Sequence, residues 1–285
     1  MASMRDIKRR KSSISSTQQI TKAMKLVSTV KLQKAKTHAE QTNPYTSYMF
    51  KTVSSILAKS SNIFHPFLQA GDSKRKAVVV ITSNRGLAGG YNSNIVKLVL
   101  EKGFNKEDLD IYAIGEKGAE ALSRRGFHVV ENSSEIMENP TYGDAAALCG
   151  RVLDSFVKGE IGEIYLAYTH FKNTVSHEPR LIKLLPVEIS EEDKQASNDH
   201  AMMNYEPNEE EALDEIIPKY ITSLFYGALV EALASENGAR MQAMDSATSN
   251  AEEMISDLTL KYNRARQGSI TQELTEIIAG ANAIS

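Results

Sequence analysis

Both ends of the chain carry long helical patterns of apolar residues. Residues 4–43 contain no glycine or proline, and apolar side chains recur there at helical spacing: Ile7, Ile14, Ile20, Met24, Val27 and Val30. A stripe this narrow is typical of a coiled-coil seam. Serine and threonine are common in the same segment, so the helix needs a partner to be stable. Pro44 predicts a break or kink.

The second helical pattern runs from Asn208 to Ala283, with Asn208 as the predicted cap and Pro218 as a predicted kink or interruption. Small and apolar residues continue a stripe beyond that proline: Leu224, Ala228, Ala232, Ala239, Ala243, Ala247, Ala251, Met254, Leu258 and Ala265. A helix of about 60–75 residues would be about 90–110 Å long, so part of it must project from any ordinary domain. We therefore predict that the two terminal helices pair into one shaft.

The middle of the chain has a different pattern, in which strands and helices alternate. Its predicted strands cover residues 76–82, 110–115, 127–130, 163–171 and 180–187, and its predicted helices cover 93–102, 116–125 and 144–158. Such alternation is typical of an open α/β sheet of the Rossmann type. The predicted fold class is α/β, with a Rossmann-like domain (76–190) inserted between an N-terminal coiled-coil helix (1–58) and a C-terminal one (208–285).

The composition of the chain argues against a membrane span, a metal site and a catalytic site. The chain has 285 residues, a formal net charge of −3 and a single cysteine, Cys149, which cannot form an internal disulfide. No run of about twenty apolar residues is present, so we predict no membrane span. No Cys/His cluster has metal-ligand spacing, and no arrangement of the six histidines with serine, cysteine or carboxylates indicates catalysis. We predict no metal, no cofactor and no catalytic residues.

Charge is strongly segregated. Residues 1–40 contain ten basic and two acidic residues, whereas residues 188–215 contain eleven acidic residues and one lysine. Separated charge usually indicates different partners at different places, although solvated helix faces and an acidic loop are the simpler explanation. The basic helix could meet nucleic acid, anionic lipid or acidic protein loops, and the absence of aromatic residues in 1–40 weakens the case for single-stranded nucleic acid.

A glycine-rich loop follows the first predicted strand. Gly86, Gly89 and Gly90 do not have the GxGxxG spacing, and the loop lacks the Walker Gly-Lys-Ser/Thr. Glu116 could act as a ribose ligand in a nucleotide-binding interpretation. The alternative is that these glycines allow tight packing at a strand-to-helix corner. A Rossmann-type nucleotide enzyme with a coiled-coil dimerisation arm is thus the second hypothesis.

Three segments carry a resemblance to a known family. They are Gln18–Met24 with Val27 and Ser28, then Ile81–Asn92, and finally Tyr262–Gln267 followed by Ile270–Ala281. In these segments the chain resembles the gamma subunits of F-type ATP synthases, at the start, middle and end, whereas residues 103–200 match weakly. The resemblance implies a non-catalytic central stalk whose antiparallel terminal helices turn inside a hexamer of three alpha and three beta subunits.

The resemblance also implies the remaining partners and the location. The α/β domain would lie beside an epsilon subunit, and a foot would rest on the membrane ring of c subunits, on the cytoplasmic side of the cell membrane. Nucleic acid is not expected among the partners. Ion flow would turn the ring, and the shaft would force each beta subunit through open, loose and tight states during ATP synthesis or hydrolysis.

The resemblance assigns three groups of site residues. The beta-subunit contacts would be Met24, Lys25, Arg266, Gln267, Thr271 and Glu273. The apolar bearing would be Ile270, Leu274, Ile277 and Ile278, and the c-ring foot would be Tyr205 and Glu206 with Pro207. Two departures affect this assignment: Lys25 stands where the family often has glutamate, and Cys149 alone cannot form the cysteine pair that serves redox control in photosynthetic members.

Overall fold

In the part of the chain that the structure describes, the protein has five α-helices, three short 3-10 helices and one five-stranded sheet. The structure, a computed structural model, describes residues 4–59, 65–71, 73–188 and 208–284. Its helices are α1 (Met4–Lys59), α2 (Tyr91–Glu101), α3 (Glu116–Ser123), α4 (Tyr142–Val157) and α5 (Glu209–Ile284). Its strands are β1 (Lys76–Ile81), β2 (Leu109–Ile114), β3 (His128–Asn132), β4 (Glu163–Phe171) and β5 (His177–Leu185).

Contacts divide the chain into two compact units. The first unit joins residues 1–28 with 241–285, and the second contains residues 29–240. The long helices at both ends of the chain and the α/β sheet between them agree with the predicted fold class. The domain boundaries 1–58, 76–190 and 208–285 stay predictions.

The sheet of the second unit has the strand order β3-β2-β1-β4-β5. Strands β1 to β4 pair in parallel, and β5 returns antiparallel to β4. The buried strand β1 is apolar from Ala77 to Ile81, as a central parallel strand covered on both faces must be. The last strand begins at His177 and not at Arg180 as predicted, because its pairing with β4 starts at Phe171.

Two apolar layers cover the two faces of the sheet. On one face α2 and α3 pack through residues such as Ile95 and Leu122. On the other face α1, α4 and α5 contribute Val53, Leu148 and Phe225 to one continuous core. Both long helices therefore contribute residues to the core of the second unit.

Neither proline ends its helix, so the break predicted at Pro44 and the interruption predicted at Pro218 are wrong, whereas the kink predicted as the alternative at each proline stays a prediction. Each proline lies inside one continuous helix. Tertiary packing compensates the lost backbone hydrogen bond, because apolar residues that follow or flank each proline are buried in the core, among them Val53 and Ile217.

Helix α5 also has the length and composition of a membrane-crossing helix between Glu210 and Asn282. It is the one such helix among the described residues, and a little over half of its most apolar stretch is buried inside the protein. Burial of this kind is usual for a helix that forms a protein core, and Leu213, Ile221 and Leu229 are indeed core residues.

Gly162 lets two backbone segments approach closely at the start of β4. A Cβ atom at this position would lie 2.1 Å from the carbonyl oxygen of Ser73. We expect Gly162→Ala to destabilise the protein by about 2 kcal/mol, because backbone must move to admit the methyl group. The matched control is Gly150→Ala in α4, where a Cβ atom meets nothing within 4 Å and helix propensity favours alanine. Urea unfolding measures both, and equal stabilities of the two variants would contradict the expectation.

The carboxylate of Asp110, at the start of β2, is hydrogen-bonded to two neighbouring side chains. It accepts hydrogen bonds from Arg75 at 2.6 Å and from His128 at 2.9 Å. Burial by itself raises the pKa of Asp110, but the bonds from Arg75 and His128 outweigh burial and leave that pKa below its usual value. The lowered pKa means that the ionised group stabilises the fold at neutral pH and that this stabilisation is lost as pH falls through the folded-state pKa.

We therefore expect Asp110→Asn to be less stable than the parent chain by about 2 kcal/mol at neutral pH. The difference should shrink as pH falls below about 4, where the parent carboxylate also takes up a proton. Urea unfolding of both proteins over a pH series measures this. A stability difference that does not change with pH would contradict the expectation.

Candidate functional site

The first unit is an antiparallel helix pair whose register three side-chain pairs define. Gln18 donates to Glu252 at 3.0 Å, the hydroxyl groups of Thr21 and Thr248 lie 2.8 Å apart, and Lys25 lies 2.5 Å from Asp245. Partner numbers fall on α5 as they rise on α1, so the two helices run in opposite directions.

The seam between these helices is more polar than the apolar pattern predicted. Thr21 and Ser28 of α1 are buried, whereas Ile20, Val27 and Val30, which were predicted for the seam, are more than half exposed. The predicted seam is therefore wrong at those three positions. Short hydroxyl side chains fit the close approach of the two helices and satisfy their own hydrogen bonds, as Thr248 does through Met244.

Met24 and Lys25 lie next to this seam and are both half-buried. The ammonium group of Lys25 is held by Asp245 of α5 at 2.5 Å, with both side chains partly exposed. An ion pair at such a position contributes up to about 1 kcal/mol. Lys25 thus has a partner within the chain, a feature that sequence inspection missed because Asp245 is distant in sequence.

The register implies that, among the described residues, α5 extends past the start of α1. It places Met4, the first described residue of α1, opposite Arg266. Residues 267–284 then extend further by about 27 Å, at 1.5 Å per residue. This terminal segment, residues 267–284, is called the tip below.

The tip presents an apolar face to solvent. Ile270 is 49% exposed, Leu274 55%, Ile277 68% and Ile278 60%. Their spacing of four, three and one residues gathers them on one side of the helix. Four large exposed apolar side chains on one helix face indicate a surface that a partner covers.

The other predicted contacts at this end are polar and exposed. Arg266, Gln267, Thr271 and Glu273 all lie on the surface of α5. Thr271 donates to the backbone oxygen of Gln267 at 2.9 Å, and Ser269 donates to Glu273 at 3.4 Å. The structure brings these residues together with the apolar face of the tip, and it keeps them in a different part of the helix pair from Met24 and Lys25. Tyr205 and Glu206, the predicted foot, lie outside the described residues, as does Pro207.

The glycine-rich loop of the second unit contacts the chain's own C-terminal helix. Arg240 of α5 donates to the backbone oxygen of Arg85 at 3.3 Å, and the hydroxyl group of Tyr91 donates to the backbone oxygen of Ala232 at 3.1 Å. Gly89 has a φ of 56°, and Leu87 has a φ of 64°. The glycine content therefore serves a tight corner packed against α5, and Leu87, at 64% exposure, projects from it.

Asparagine and serine side chains hold this loop in place. Asn92 accepts from the backbone nitrogen of Ser83 at 2.9 Å, and Asn84 bridges to the next loop by accepting from the backbone nitrogen of Glu116 at 3.3 Å. Glu116, considered above as a ribose ligand, thus contributes a backbone bond to loop packing.

A buried ion pair on α5 was missed at the level of sequence. Glu236 and Arg240 lie 2.7 Å apart, and their side chains are 11% and 13% exposed. Burial raises the pKa of Glu236, and the neighbouring Arg240 opposes that rise. Burial likewise raises the pKa of Tyr91. The spacing of four residues between a glutamate and an arginine was the signal that could have indicated the pair.

The described residues offer no candidate metal site. No three His, Cys, Asp or Glu side chains gather there in a way that could hold a metal ion. Cys149 is buried in α4, and burial raises its pKa to about 11, which keeps the thiol protonated and unreactive at neutral pH.

A family profile and individual relatives indicate the same family for this chain. Residues 3–284 match the profile of a family described as ATP synthase. An ATP synthase gamma chain of Lachnoclostridium phytofermentans is 68% identical over 291 residues, with all of both chains covered. One of Alkaliphilus metalliredigens is 44% identical, covering 99% of this chain and 98% of the relative.

A solved structure shares the fold. It is a chain from the central stalk and c ring of the mitochondrial ATP synthase of Tetrahymena thermophila, with 27% identity and a TM-score of 0.60. The match covers 80% of this chain and 99% of that one.

Proposed function

Since this chain belongs to the family of ATP synthase gamma chains, we propose that it transmits rotation, through its paired helices, to catalytic sites on other subunits. It is a subunit of an enzyme complex that associates with a membrane. Its own part in the reaction is mechanical: ion flow through a c ring turns the chain, and the turning shaft changes the beta-subunit sites inside a hexamer of three alpha and three beta subunits. An epsilon subunit completes the rotor, on the cytoplasmic side of the membrane.

One observation carries this proposal: the tip is a single helix with an exposed apolar face. Ile270, Leu274 and Ile277 lie beyond the part of α5 that the register pairs with the described residues of α1. Apolar contacts are non-directional, so a sleeve around this face can hold the tip without bonds that must break at every step. We propose that these residues and Ile278 form the upper bearing.

The exposed polar residues beside this face would make the directional contacts. Arg266, Gln267, Thr271 and Glu273 are exposed on α5, where they would meet the beta subunits. Met24 and Lys25 would form a lower contact with acidic beta-subunit loops, and the basic surface of the N-terminal part of α1 supports the choice of an acidic partner. Because Asp245 already holds Lys25, Met24 is the more available of the two. Tyr205 and Glu206 would form the foot on the c ring.

Two measurements on purified protein distinguish the proposed function from the alternative, a nucleotide enzyme. The proposed function expects the chain to co-purify with alpha and beta subunits, because their hexamer covers the apolar tip. It also expects no tight nucleotide binding, because Arg240 and Tyr91 tie the glycine-rich loop to α5. Stoichiometric nucleotide bound by the isolated chain at Gly86–Gly90, without assembly with alpha and beta, would overturn the proposal.

A further inference from the structure

One segment of α5, Glu231–Arg240, is tied to the α/β domain by polar contacts on several sides; it is called the anchor segment below. All of it lies in the second unit, together with the sheet. His170 near the end of β4 lies with its Nδ1 atom 2.7 Å from Glu231, and Ser235 donates to the backbone oxygen of Thr169 at 3.1 Å. These two ties attach the anchor segment to one strand.

Two further ties reach the other side of the same helix segment. Tyr91, the first residue of α2, donates to the backbone oxygen of Ala232 at 3.1 Å. Arg240 donates to the backbone oxygen of Arg85 at 3.3 Å and is oriented by Glu236 at 2.7 Å. The anchor segment is thus bonded to β4, to α2 and to the glycine-rich loop.

The anchor segment is also closely packed around these hydrogen bonds. A Cβ atom at Gly238 would lie 2.6 Å from the ring of His177 on β5, so the helix backbone is in contact with that ring. Ala232, Ala234 and Ser235 are completely buried. Rolling α5 about its axis would separate the hydrogen-bonding atoms and turn side chains that flank Gly238 into the imidazole ring.

From this arrangement we propose that the anchor segment fixes the rotational position of α5 on the α/β domain, and that torque applied to the domain passes to the shaft through this segment. Close packing of apolar side chains in the core also opposes rolling of the helix. Hydrogen bonds on two sides of one helix add resistance that depends on the direction between their donor and acceptor atoms. Glu231, Ser235 and Arg240 are then positioning residues, and this inference rests on the proposed function of the chain as a rotor.

The first test uses the whole purified chain. Glu231→Ala removes the acceptor for His170, and we expect backbone amides of residues 231–240 to exchange with solvent about tenfold faster, as the loss of one charge-assisted hydrogen bond predicts. Glu231→Gln, which keeps an acceptor, should restore slow exchange. The matched control is Glu215→Ala, which removes a 2.6 Å ion pair with Lys219 on an exposed face of the same helix, outside the anchor segment.

The second test measures the mechanical consequence in the complex with alpha and beta subunits. A probe is attached to the α/β domain while the hexamer, stalled without nucleotide, holds the tip. Glu231→Ala should broaden the angular fluctuation of the probe, whereas Glu215→Ala and Glu231→Gln should leave it as in the parent. If Glu231→Ala does not fold, Ser235→Ala, which removes the tie to Thr169, replaces it in both tests.

Unchanged amide exchange and unchanged fluctuation in the folded variant would overturn the inference. Faster exchange with unchanged fluctuation would also overturn it, because the ties would then stabilise the fold without carrying torque. Failure of the parent chain to assemble with alpha and beta subunits would instead overturn the proposed function, a result that the parent control reveals by itself.

Discussion

Replacing Ile270 and Leu274 together by aspartate should weaken the grip of the alpha/beta hexamer on the tip by about a thousandfold. The two side chains are about half exposed in the free chain, so a sleeve would bury substantial further apolar area. Loss of that burial and the cost of burying two carboxylates together amount to about 4 kcal/mol, and each 1.4 kcal/mol is a factor of ten. The measurement is the dissociation constant of the chain from the reconstituted hexamer.

A matched control adds the same two charges on the opposite side of the tip. Gln272 and Ala279 lie roughly half a turn of the helix away from the apolar face, and both are exposed. Gln272→Asp with Ala279→Asp should reduce affinity far less. Both double variants should keep the stability of the parent chain, because none of the four side chains is buried. Equal losses of affinity in the two double variants would contradict an apolar bearing.

Met24→Lys should uncouple rotation from ion transport while ATP hydrolysis continues. Met24 is half-buried beside the pair of Lys25 and Asp245. A second ammonium group there would compete for Asp245 and would form an additional ion pair with acidic beta-subunit loops in one rotary position. A contact worth about 1.4 kcal/mol holds the shaft in that position about tenfold longer, so ATP hydrolysis that continues on the hexamer is no longer matched by turning of the ring. We therefore expect ion pumping in membrane vesicles to fall about tenfold, with hydrolysis retained.

The control for this prediction is Ala23→Lys. It adds the same charge one residue earlier, on an exposed position about 100° round the helix. Pumping should be close to that of the parent. Vesicles in which Met24→Lys pumps as well as the parent would argue that the beta-subunit contact lies elsewhere.

The strand and helix pattern of the α/β domain was predictable because each element is local. The run from Ala77 to Ile81 is apolar and mostly β-branched, a pattern typical of a strand that is buried on both faces. The structure places this strand at the centre of the sheet. Continuity through Pro44 and Pro218 was not predictable, because the packing that holds those helices together comes from residues remote in sequence.

The residues that form the seam of the helix pair were also not predictable, because they are selected by a partner helix that is remote in sequence. Apolar periodicity favoured Ile20, Val27 and Val30, but the structure buries Thr21 and Ser28 in their place. A hydroxyl group becomes a good seam residue only when the partner helix supplies Thr248 or leaves no room for a larger side chain. By contrast, the apolar face of the tip could be read from the sequence, since its spacing alone defines it.

The role of the glycine-rich loop also depended on distant residues. Its spacing argued against a phosphate cradle, but its contact with α5 depends on Arg240, about 150 residues further along the chain. The only local sequence feature associated with this contact is the spacing of four residues between Glu236 and Arg240.

The central claim is that this chain turns as a rigid shaft while other subunits perform the chemistry. The direct measurement is to reconstitute the chain with alpha and beta subunits, attach a probe to the α/β domain and observe it during ATP hydrolysis. The account predicts rotation in one direction with three equivalent pauses per turn, one for each beta subunit. A probe that stays fixed while the same complex hydrolyses ATP would contradict it.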